Sequence, residues 1–399
     1  MISNINSQAT SQSTSSERKI GFYSDNKAGP TLVAFGGMHG NEPSGVLALK
    51  KVFQELNEHQ PNFEGKFFGI ACNLGALSLN KRFINADLNR IWTSENLKEI
   101  SDQSNANLSS PEQFEQFEIY HLIQDILAEA SGPLFFIDLH TTSSESQPFI
   151  SINDTLRNRE LGLRYPLPII LGVEEHLGGT ILNYINDLGH IAIGFEGGQH
   201  DAPSSIENHE AFIWTTLINI GCLSRFGIPN GHIYEERLAK TTTDGQKIFE
   251  VRHKYTIGPD EQFVMKPHYV NFQSIKKNEL LASNEAGNIH AAEKGKIFMP
   301  LYQGQGDEGY FIIRKIRWFW LKVSVVLRKT SFHKILPYLP GINRHQGLHH
   351  ALEVNKRIAR WYVTEIFHLL GFRKTELKDK HILFIKRKYD FKGPDVKKS

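Results

Sequence analysis

The chain of 399 residues is long enough to bury a sizeable core and to form about two domains. Its hydrophobic content of 40% and charged content of 22% are typical of a globular protein and exclude a wholly disordered chain. The net charge of +2 conceals an asymmetry: residues 314–399 contain 21 Lys or Arg and 6 Asp or Glu, so this segment carries +15 and the rest of the chain −13.

The cysteines and the N-terminus exclude further classes of protein. Cys72 and Cys222 are the only cysteines, which rules out a disulfide framework and predicts buried structural thiols in a cytoplasmic protein. Residues 1–17 are rich in Ser, Asn, Gln and Thr and contain no apolar segment, so we expect a disordered N-terminus and not a signal peptide. The aromatic and aliphatic run 318–327 is too short to cross a bilayer and contains Lys322.

Apolar runs alternate with helical patterns as far as residue 226. The runs predict strands at 31–35, 67–72, 134–139, 169–172 and 191–195. Helical spacing and start signals predict helices at 43–58, from Ser110-Pro111 onward, at 180–188 and at 205–220. The polar residues 93–110 are predicted to form a loop. Alternating strands and helices indicate an α/β fold, with a mostly parallel or mixed sheet flanked by helices.

The pattern changes after residue 226. Short segments separated by Gly, Asn and Asp predict a small β-rich domain, with strands at 248–251, 263–270, 279–281, 296–299 and 311–313. One apolar stripe at helical spacing predicts helices in the basic tail; it comprises Leu348, Leu352, Ile358, Trp361, Ile366 and Leu370. The predicted segments are a disordered N-terminus at 1–17, a catalytic domain at 18–226, a capping domain at 227–316 and a basic helical extension at 317–399.

Four polar motifs lie near the ends of apolar strands, where open α/β sheets place their sites. They are His39-Gly40-Asn41-Glu42, Asp87-Leu88-Asn89-Arg90, Asp138-Leu139-His140-Thr141-Thr142 and Phe195-Glu196-Gly197-Gly198. Two imidazoles and one carboxylate satisfy the three-ligand pattern of a catalytic zinc site. The predicted zinc ligands, one ion per chain, are therefore His39, Glu42 and His140.

The remaining polar residues suit the other parts of a hydrolytic site. Glu196 is free to act as the general base on a water molecule. Arg82 could stabilise the developing oxyanion, while Asn89 and Arg90 could bind a substrate carboxylate. The second nitrogen of a ligand histidine needs an acceptor, for which Asp87 and Asp138 are both candidates.

Each motif also has a purely structural interpretation. A His and a Glu three residues apart occur by chance about once in a chain of this composition. Asp87 or Asn89 could cap a helix, Asp138 and His140 could form an isolated hydrogen-bonded pair, and Glu196 could be a loop acid. All four motifs at strand ends of one domain nevertheless favour a metal hydrolase.

In this order the four motifs, the last of them extended as Glu196-Gly197-Gly198-Gln199, resemble the succinylglutamate desuccinylase/aspartoacylase family, which is related to the zinc carboxypeptidases. The resemblance covers residues 18–315. It implies zinc on His39, Glu42 and His140, Glu196 as general base, Arg82 at the scissile carbonyl, and Asn89 and Arg90 at a substrate carboxylate. It also implies that Asp87 supports the first zinc histidine, and that a small β-domain containing residues 300–306 crowns the site.

The sequence departs from that family in two places. Aspartoacylases carry a further substrate arginine shortly before the base, but no arginine lies between Arg164 and Arg225, and Asn186 falls near the expected position. This argues against N-acetylaspartate itself. Aspartoacylases also bring a tyrosine from the β-domain, for which Tyr302 and Tyr310 are the candidates.

The predicted function is a zinc-dependent amidohydrolase, or deacylase, that acts on an N-acyl amino acid or a similar small carboxylate. A zinc carboxypeptidase or peptide amidase is the alternative within the same chemistry. An alternative of another class is a protein that binds an anionic surface through residues 317–399, against which stands a basic extension that simply docks on the acidic body. No specific nucleic acid partner is expected, and a homo-oligomer is left open.

Overall fold

The computed structural model describes residues 18–102, 108–227, 231–330, 332–348, 350–355, 358, 363–376 and 381–394. The predicted N-terminal segment 1–17 and Trp361 of the predicted apolar stripe lie outside the described residues. Through the described part of the chain runs a sheet of eleven strands, accompanied by one sheet of three strands and one of four.

Each strand predicted before residue 226 is present. The first eight strands of the chain are β1 (Lys19–Tyr23), β2 (Thr31–Gly36), β3 (Lys66–Ala71), β4 (Leu134–Thr142), β5 (Phe149–Ile152), β6 (Ile169–Leu171), β7 (Ile191–Gln199) and β8 (Ile248–Thr256). The sequence analysis missed β1 and β5, which are short and carry few apolar residues in a row.

Among the described residues, eight α-helices lie between residues 44 and 240, four of them predicted from the sequence and four missed by it. They are α1 (Ser44–His59), α2 (Leu74–Leu79), α3 (Ser94–Asp102), α4 (Pro111–Glu129), α5 (Leu156–Gly162), α6 (Ile181–Asp187), α7 (Pro203–Ile220) and α8 (Gly231–Lys240). Ser110 and Gln113 form a capping box at the start of α4, as the Ser-Pro signal predicts. The prediction of a loop at 93–110 is wrong for α3, because Leu97 and Ile100 place one apolar turn against the body.

Six strands follow in the predicted capping region. They are β9 (Val264–Met265), β10 (Ser274–Ile275), β11 (Leu280–Asn284), β12 (Gly287–His290), β13 (Gly295–Phe298) and β14 (Glu308–Lys315). The strand predicted at 263–270 is limited to β9, which is followed by Pro267, a residue without an amide hydrogen for a neighbouring strand.

The order of strands in the large sheet is β1-β3-β2-β4-β7-β5-β6-β8-β14-β13-β10. The four strands β3, β2, β4 and β7 are parallel neighbours. The sheet continues beyond residue 226, because β8 pairs in parallel with β6 and antiparallel with β14. Strands from the predicted catalytic and capping regions therefore share one sheet.

Two apolar layers enclose the parallel strands. One layer packs α1 and α7 against the sheet through residues such as Leu49, Val52 and Phe212. The other packs α4 and α6 through residues such as Ile123 and Ile181. Because both faces are covered, the strands are apolar runs instead of alternating patterns. Polar side chains at the strand ends therefore lie at the edge of this core.

The C-terminal extension contains both helices and strands. Its elements are α9 (Trp318–Lys329), a 3₁₀ helix (Phe332–Tyr338), β15 (Ile342–Arg344), β16 (Ala351–Asn355), α10 (Val363–Leu369), β17 (Phe372–Glu376) and β18 (His381–Lys386). The prediction of a helical extension is wrong for the four strands, which form an antiparallel sheet in the order β15-β16-β18-β17. The apparent helical stripe combined apolar residues that belong to different elements: Leu352 lies on β16 and Ile366 on α10.

Buried ion pairs attach the extension to the body. The side chain of Arg328 on α9 is fully buried and donates to Asp154 at 2.6 Å and to Asp390 at 3.1 Å. Arg387, which follows β18, donates to Glu174 at 2.6 Å. The extension therefore docks on acidic residues of the body, as one of the two alternatives for its basic charge predicts.

Candidate active site

The carboxyl ends of three parallel strands bring the predicted metal ligands together. The chain leaves β2 and enters a turn that carries His39 and Glu42, while β4 carries His140. Glu196 on β7 pairs directly with His140 across the two strands. Since parallel strands end at the same edge of the sheet, these four residues lie around one cavity.

Close packing explains the glycines of the first motif. Gly37 has a φ of +67°, which suits a residue without a side chain. A Cβ atom on Gly40 would lie 2.1 Å from the carbonyl carbon of Ala76 in α2. The turn is therefore held tightly between β2 and α1, and it gives His39 and Glu42 a defined position.

Three ligand atoms converge at this position. The Nδ1 atom of His39 lies 2.9 Å from one carboxylate oxygen of Glu42, and the Nδ1 atom of His140 lies 3.0 Å from the other. The ligand atoms of the three residues all lie within 4.8 Å of one another, and the three side chains are buried. Two imidazole nitrogens and a carboxylate oxygen form a donor set that zinc accepts.

Two aspartates contact the far nitrogens of the histidines. The Nε2 atom of His39 lies 3.1 Å from Asp87, and that of His140 lies 2.7 Å from Asp138. Each histidine donates a hydrogen from Nε2 when its Nδ1 atom binds a metal, which is the usual support for a metal-binding imidazole. Both aspartates considered in the sequence analysis are thus in contact with a histidine.

Arg82 reaches the same centre through Asp87. Its guanidinium donates to Oδ2 of Asp87 at 2.8 and 3.1 Å, and its Nη1 atom lies 3.7 Å from Glu42. Burial raises the pKa of Asp87, but the charges of His39 and Arg82 outweigh it and keep that pKa well below its usual range. Asp87 is therefore an anion that holds both a histidine and an arginine.

Glu196 has the most unusual environment in the site. Its side chain is buried, and one of its carboxylate oxygens has no hydrogen-bond partner. Burial, together with the nearby carboxylates of Glu42 and Asp138 and against the charge of His140, raises its pKa to about 8. Such a carboxylate binds a proton readily near neutral pH.

Asn89 and Arg90 line the cavity but already have protein partners. The Asn89 side chain accepts from the amide of Ile181 at 2.9 Å, and its amide nitrogen lies 3.3 Å from His140. Arg90 donates to the carbonyl of Asn89 at 2.9 Å and to Glu308 of β14 at 3.1 Å. Glu308 was not recognised in the sequence, because only the tertiary fold brings β14 to this cavity.

Hydrogen bonds between polar side chains connect several segments at the cavity. Gln303 accepts a hydrogen bond from Asn41 at 2.8 Å, and its Oε1 atom lies 3.2 Å from His200. His200 in turn lies 2.7 Å from the hydroxyl of Thr141. Gln303 belongs to the segment 300–306 that the resemblance places over the site. The sequence analysis missed His200, although it directly follows β7.

Part of the cavity lining is apolar. It comprises Val173, Leu177, Phe298, Met299 and Phe311, and the amides Asn153 and Asn183 and the carboxyl group of Glu174 also line the cavity. Asn186 does not line the cavity; its side chain donates to the carbonyl of Leu182 and accepts from Asn158. Tyr302 and Tyr310 do not line it either, and Tyr310 is buried in the core of the capping region.

Comparison with known proteins points to the family that the sequence motifs resemble. Residues 28–202 match the family model described as the succinylglutamate desuccinylase/aspartoacylase catalytic domain. This stretch contains His39, Glu42, His140 and Glu196 of the cavity. Residues 28–202 are therefore recognised as similar to the catalytic domain of the succinylglutamate desuccinylase/aspartoacylase family.

Individual members of the succinylglutamate desuccinylase/aspartoacylase family match shorter stretches. A probable aspartoacylase of Trichodesmium erythraeum is 33% identical over 117 residues, which is 28% of this chain and 36% of that protein. An N-acyl-aromatic-L-amino acid amidohydrolase of Xenopus tropicalis is 32% identical over 114 residues, 28% of this chain and 34% of that protein. The chain thus spans about a third of the length of these curated relatives, and their names differ in substrate.

A solved structure is similar in fold over a larger part of the chain. The succinylglutamate desuccinylase/aspartoacylase of Rhodobacter sphaeroides superposes with a TM-score of 0.54 at 17% identity, over 73% of this chain and 87% of that one. At this identity the likeness concerns the fold alone. It shows the large mixed α/β sheet flanked by helices and the small C-terminal β-sheet region that the sequence predicts.

Proposed function

We propose that this chain is a zinc-dependent amidohydrolase that removes an acyl group from an N-acyl amino acid or a similar small carboxylate. One observation carries the proposal: Glu196, buried and with an unpaired carboxylate oxygen, lines the same cavity as the donor set His39, Glu42 and His140. The match of residues 28–202 to the succinylglutamate desuccinylase/aspartoacylase catalytic domain supports a deacylase.

The metal would be held by Nδ1 of His39, a carboxylate oxygen of Glu42 and Nδ1 of His140. When bound, zinc polarises a carbonyl group and lowers the pKa of a water molecule. No fourth metal-binding side chain joins these three among the described residues. A coordination position would therefore remain for water or substrate. Asp87 and Asp138 would hold the imidazoles in the required tautomer.

The chain's own residues supply the proton transfers and the positive charge. Glu196 takes a proton from the attacking water and returns it to the leaving amine. A bound cation would lower its pKa from about 8 towards neutrality, where a general base is most effective. Arg82, oriented by Asp87, faces the oxygen that becomes negative.

The substrate carboxylate would be bound by Arg90 with Asn89 beside it. Arg90 uses N–H groups for the carbonyl of Asn89 and for Glu308, and the guanidinium has five in all. The remaining donors can bind an anion while both contacts persist. Arg90 is therefore held in place for a carboxylate.

The rest of the cavity favours an uncharged group on the substrate. Among the residues described around the cavity, the only arginines are Arg82 and Arg90, and each is paired with a carboxylate. The rest of the lining includes several apolar side chains, two amides and Glu174, whose carboxylate is paired with Arg387. A second carboxylate, as in N-acetylaspartate or N-succinylglutamate, would lack a cation there and lose its hydration without compensation. We propose a neutral amino acid with a short acyl group.

The test combines metal analysis with a hydrolysis screen over N-acetyl and N-succinyl amino acids. Glu196→Gln should retain one equivalent of zinc and lose about 10²- to 10⁴-fold in kcat, the usual contribution of a general base. An undiminished rate would remove Glu196 from this role, and a wild-type chain without zinc would overturn the metal assignment.

The same screen decides between deacylase and peptidase. The cavity holds about 120 Å³ and is narrowed by Gln303, which suits a small molecule better than a peptide. Short peptides with a free C-terminal carboxylate should be poor substrates. Faster cleavage of peptides than of N-acyl amino acids would instead favour a zinc carboxypeptidase or peptide amidase.

A further inference from the structure

The C-terminal extension exposes an unusual number of large apolar side chains. Of the 23 exposed large hydrophobic residues found in the described part of the chain, eight fall within residues 318–339. They lie on α9, on the 3₁₀ helix that follows it, or directly after that helix, and we call them the aromatic patch: Trp318, Phe319, Trp320, Val326, Phe332, Ile335, Tyr338 and Leu339. Isolated exposed apolar residues are common on proteins, but a concentration of this kind marks an interaction site.

The helix α9 shows how the patch is built. One face packs on the body through Leu321, Ser324 and Arg328, which are all buried. The opposite face carries Phe319 and Val326, two turns apart and both exposed, and Trp318 lies exposed at its edge. The residues of α9 that attach it to the protein are therefore different from those it presents outward.

The segment that carries the aromatic patch is also strongly basic. No acidic residue occurs between Glu308 and Glu353, whereas eight Lys or Arg do. Six of these are exposed and form no ion pair with any carboxylate of the described residues: Lys315, Arg317, Lys322, Lys329, Lys334 and Arg344. By contrast, buried Arg328 is paired with two aspartates.

From these observations we propose that the aromatic patch binds the surface of an anionic lipid bilayer. Tryptophan and tyrosine prefer the boundary between water and hydrocarbon, and lysines reach from that depth to the lipid phosphates. A nucleic acid would satisfy the positive charge but would leave exposed aliphatic side chains such as Val326 and Ile335 without an apolar environment. Lipid accounts for both features.

The binding is interfacial and not transmembrane. Among the residues that the structure describes, no helix is long and apolar enough to cross a membrane. The 12 residues of α9 extend only about 18 Å, against a hydrocarbon thickness of about 30 Å. The helix therefore lies in the plane of the interface, with the catalytic body outside it.

The experiment is co-sedimentation of the full zinc-loaded chain with vesicles of equal parts phosphatidylcholine and phosphatidylserine, beside pure phosphatidylcholine vesicles. The protein should sediment with the anionic vesicles and be released by salt. Lys322→Gln with Lys329→Gln should weaken partitioning by roughly 30-fold, because each basic residue near such a surface contributes about 1 kcal/mol. The matched control replaces Lys50 and Lys98, two exposed lysines of the body, with glutamine and should bind as the wild type does.

A second variant tests the apolar part. Trp318→Ser with Val326→Ser should abolish vesicle binding while the thermal midpoint stays unchanged, whereas Phe226→Ser, at a residue that is 95% exposed on the body, should have no effect. Three results would overturn the proposal: no sedimentation of the wild type, equal sedimentation of this double variant, or self-association through the patch that excludes vesicles. Duplex DNA that binds the double variant and the wild type equally well and displaces the vesicles would also overturn it, in favour of nucleic acid.

Discussion

Asp87 contacts His39 through one carboxylate oxygen, at 3.1 Å from Nε2, and uses the other to accept two hydrogen bonds from Arg82. One buried anion therefore orients both a proposed metal ligand and the proposed oxyanion-binding arginine. Among the described residues, no other carboxylate forms an ion pair with Nε2 of His39, and the only other carboxylate within ion-pair distance of the Arg82 guanidinium is Glu42, at 3.7 Å. Changes at Asp87 should affect metal binding and catalysis together.

Asp87→Asn is expected to weaken zinc affinity by about 10- to 100-fold, because the amide is a poorer acceptor for the Nε2 hydrogen of His39. The measurement is competition for zinc against a chromophoric chelator. Asp125→Asn, at an exposed aspartate on α4, is the control and should leave the affinity unchanged. Unaltered zinc affinity in Asp87→Asn would mean that Asp87 does not support the metal ligand.

Glu308→Gln is expected to lower KM for N-acyl amino acids several-fold with little change in kcat. The substitution removes a negative charge 3.1 Å from Arg90 and leaves the guanidinium a stronger site for a carboxylate. Steady-state kinetics provide the measurement, with Arg90→Ala as the opposite case, in which KM should rise. If Glu308→Gln raises KM instead, Glu308 serves chiefly to position Arg90.

Asn183→Arg is expected to shift the preference towards N-acetylaspartate over N-acetylleucine by about tenfold or more, since a charge-assisted hydrogen bond contributes about 1.5–3 kcal/mol. The comparison is the ratio of kcat/KM for the two substrates. Asn186→Arg places the same charge one turn away at a residue that does not line the cavity, and should leave the ratio unchanged. A shift in Asn186→Arg alone would place the specificity pocket elsewhere.

Arg328→Met is expected to lower the free energy of unfolding by about 3–5 kcal/mol, because it leaves Asp154 and Asp390 without their shared buried cation. Urea unfolding at neutral pH measures the difference. Lys329→Met changes the adjacent, exposed residue and should alter the stability by less than about 0.5 kcal/mol. A similarly small effect for Arg328→Met would show that these ion pairs do not secure the extension.

Low pH should weaken the ion pair between Asp154 and Arg328. Burial raises the pKa of Asp154, but Arg159, Arg328 and Arg387 outweigh it, so its pKa is lowered in the folded chain. The carboxylate then stabilises the fold fully above its unfolded pKa of about 3.9, and this stabilisation is lost progressively as the pH falls below that value. Urea unfolding between neutral pH and pH ~3 should show this loss in the wild type. Asp154→Asn, already destabilised, should show a shallower dependence over that interval.

Much of the candidate site could be predicted because its signals are local. His39 with Glu42, His140 and Glu196 each follow or end an apolar run, and parallel strands necessarily bring their carboxyl ends to one edge of a sheet. The Ser110 cap of α4 is equally local, since it depends on residues three apart. The roles of these residues stay predictions until the variants above are measured.

Other features depend on distant parts of the chain. Glu308 lies 218 residues from Arg90, and Gln303 lies 262 residues from Asn41, so no spacing in the sequence relates them. The secondary structure of the C-terminal extension was harder still to predict. Short apolar runs such as those of β16 and β18 are compatible with either a helix or a strand.

The sequence by itself indicated the family resemblance, the α/β class and a candidate set of metal-binding side chains, because each depends on residue type and on short-range order. Only the tertiary structure decided that Asn183 and not Asn186 faces the cavity, that Glu308 pairs with Arg90, and that α9 buries Arg328 while it exposes Trp318. These are questions of which face of an element meets which neighbour. They are settled by packing between segments far apart in the chain.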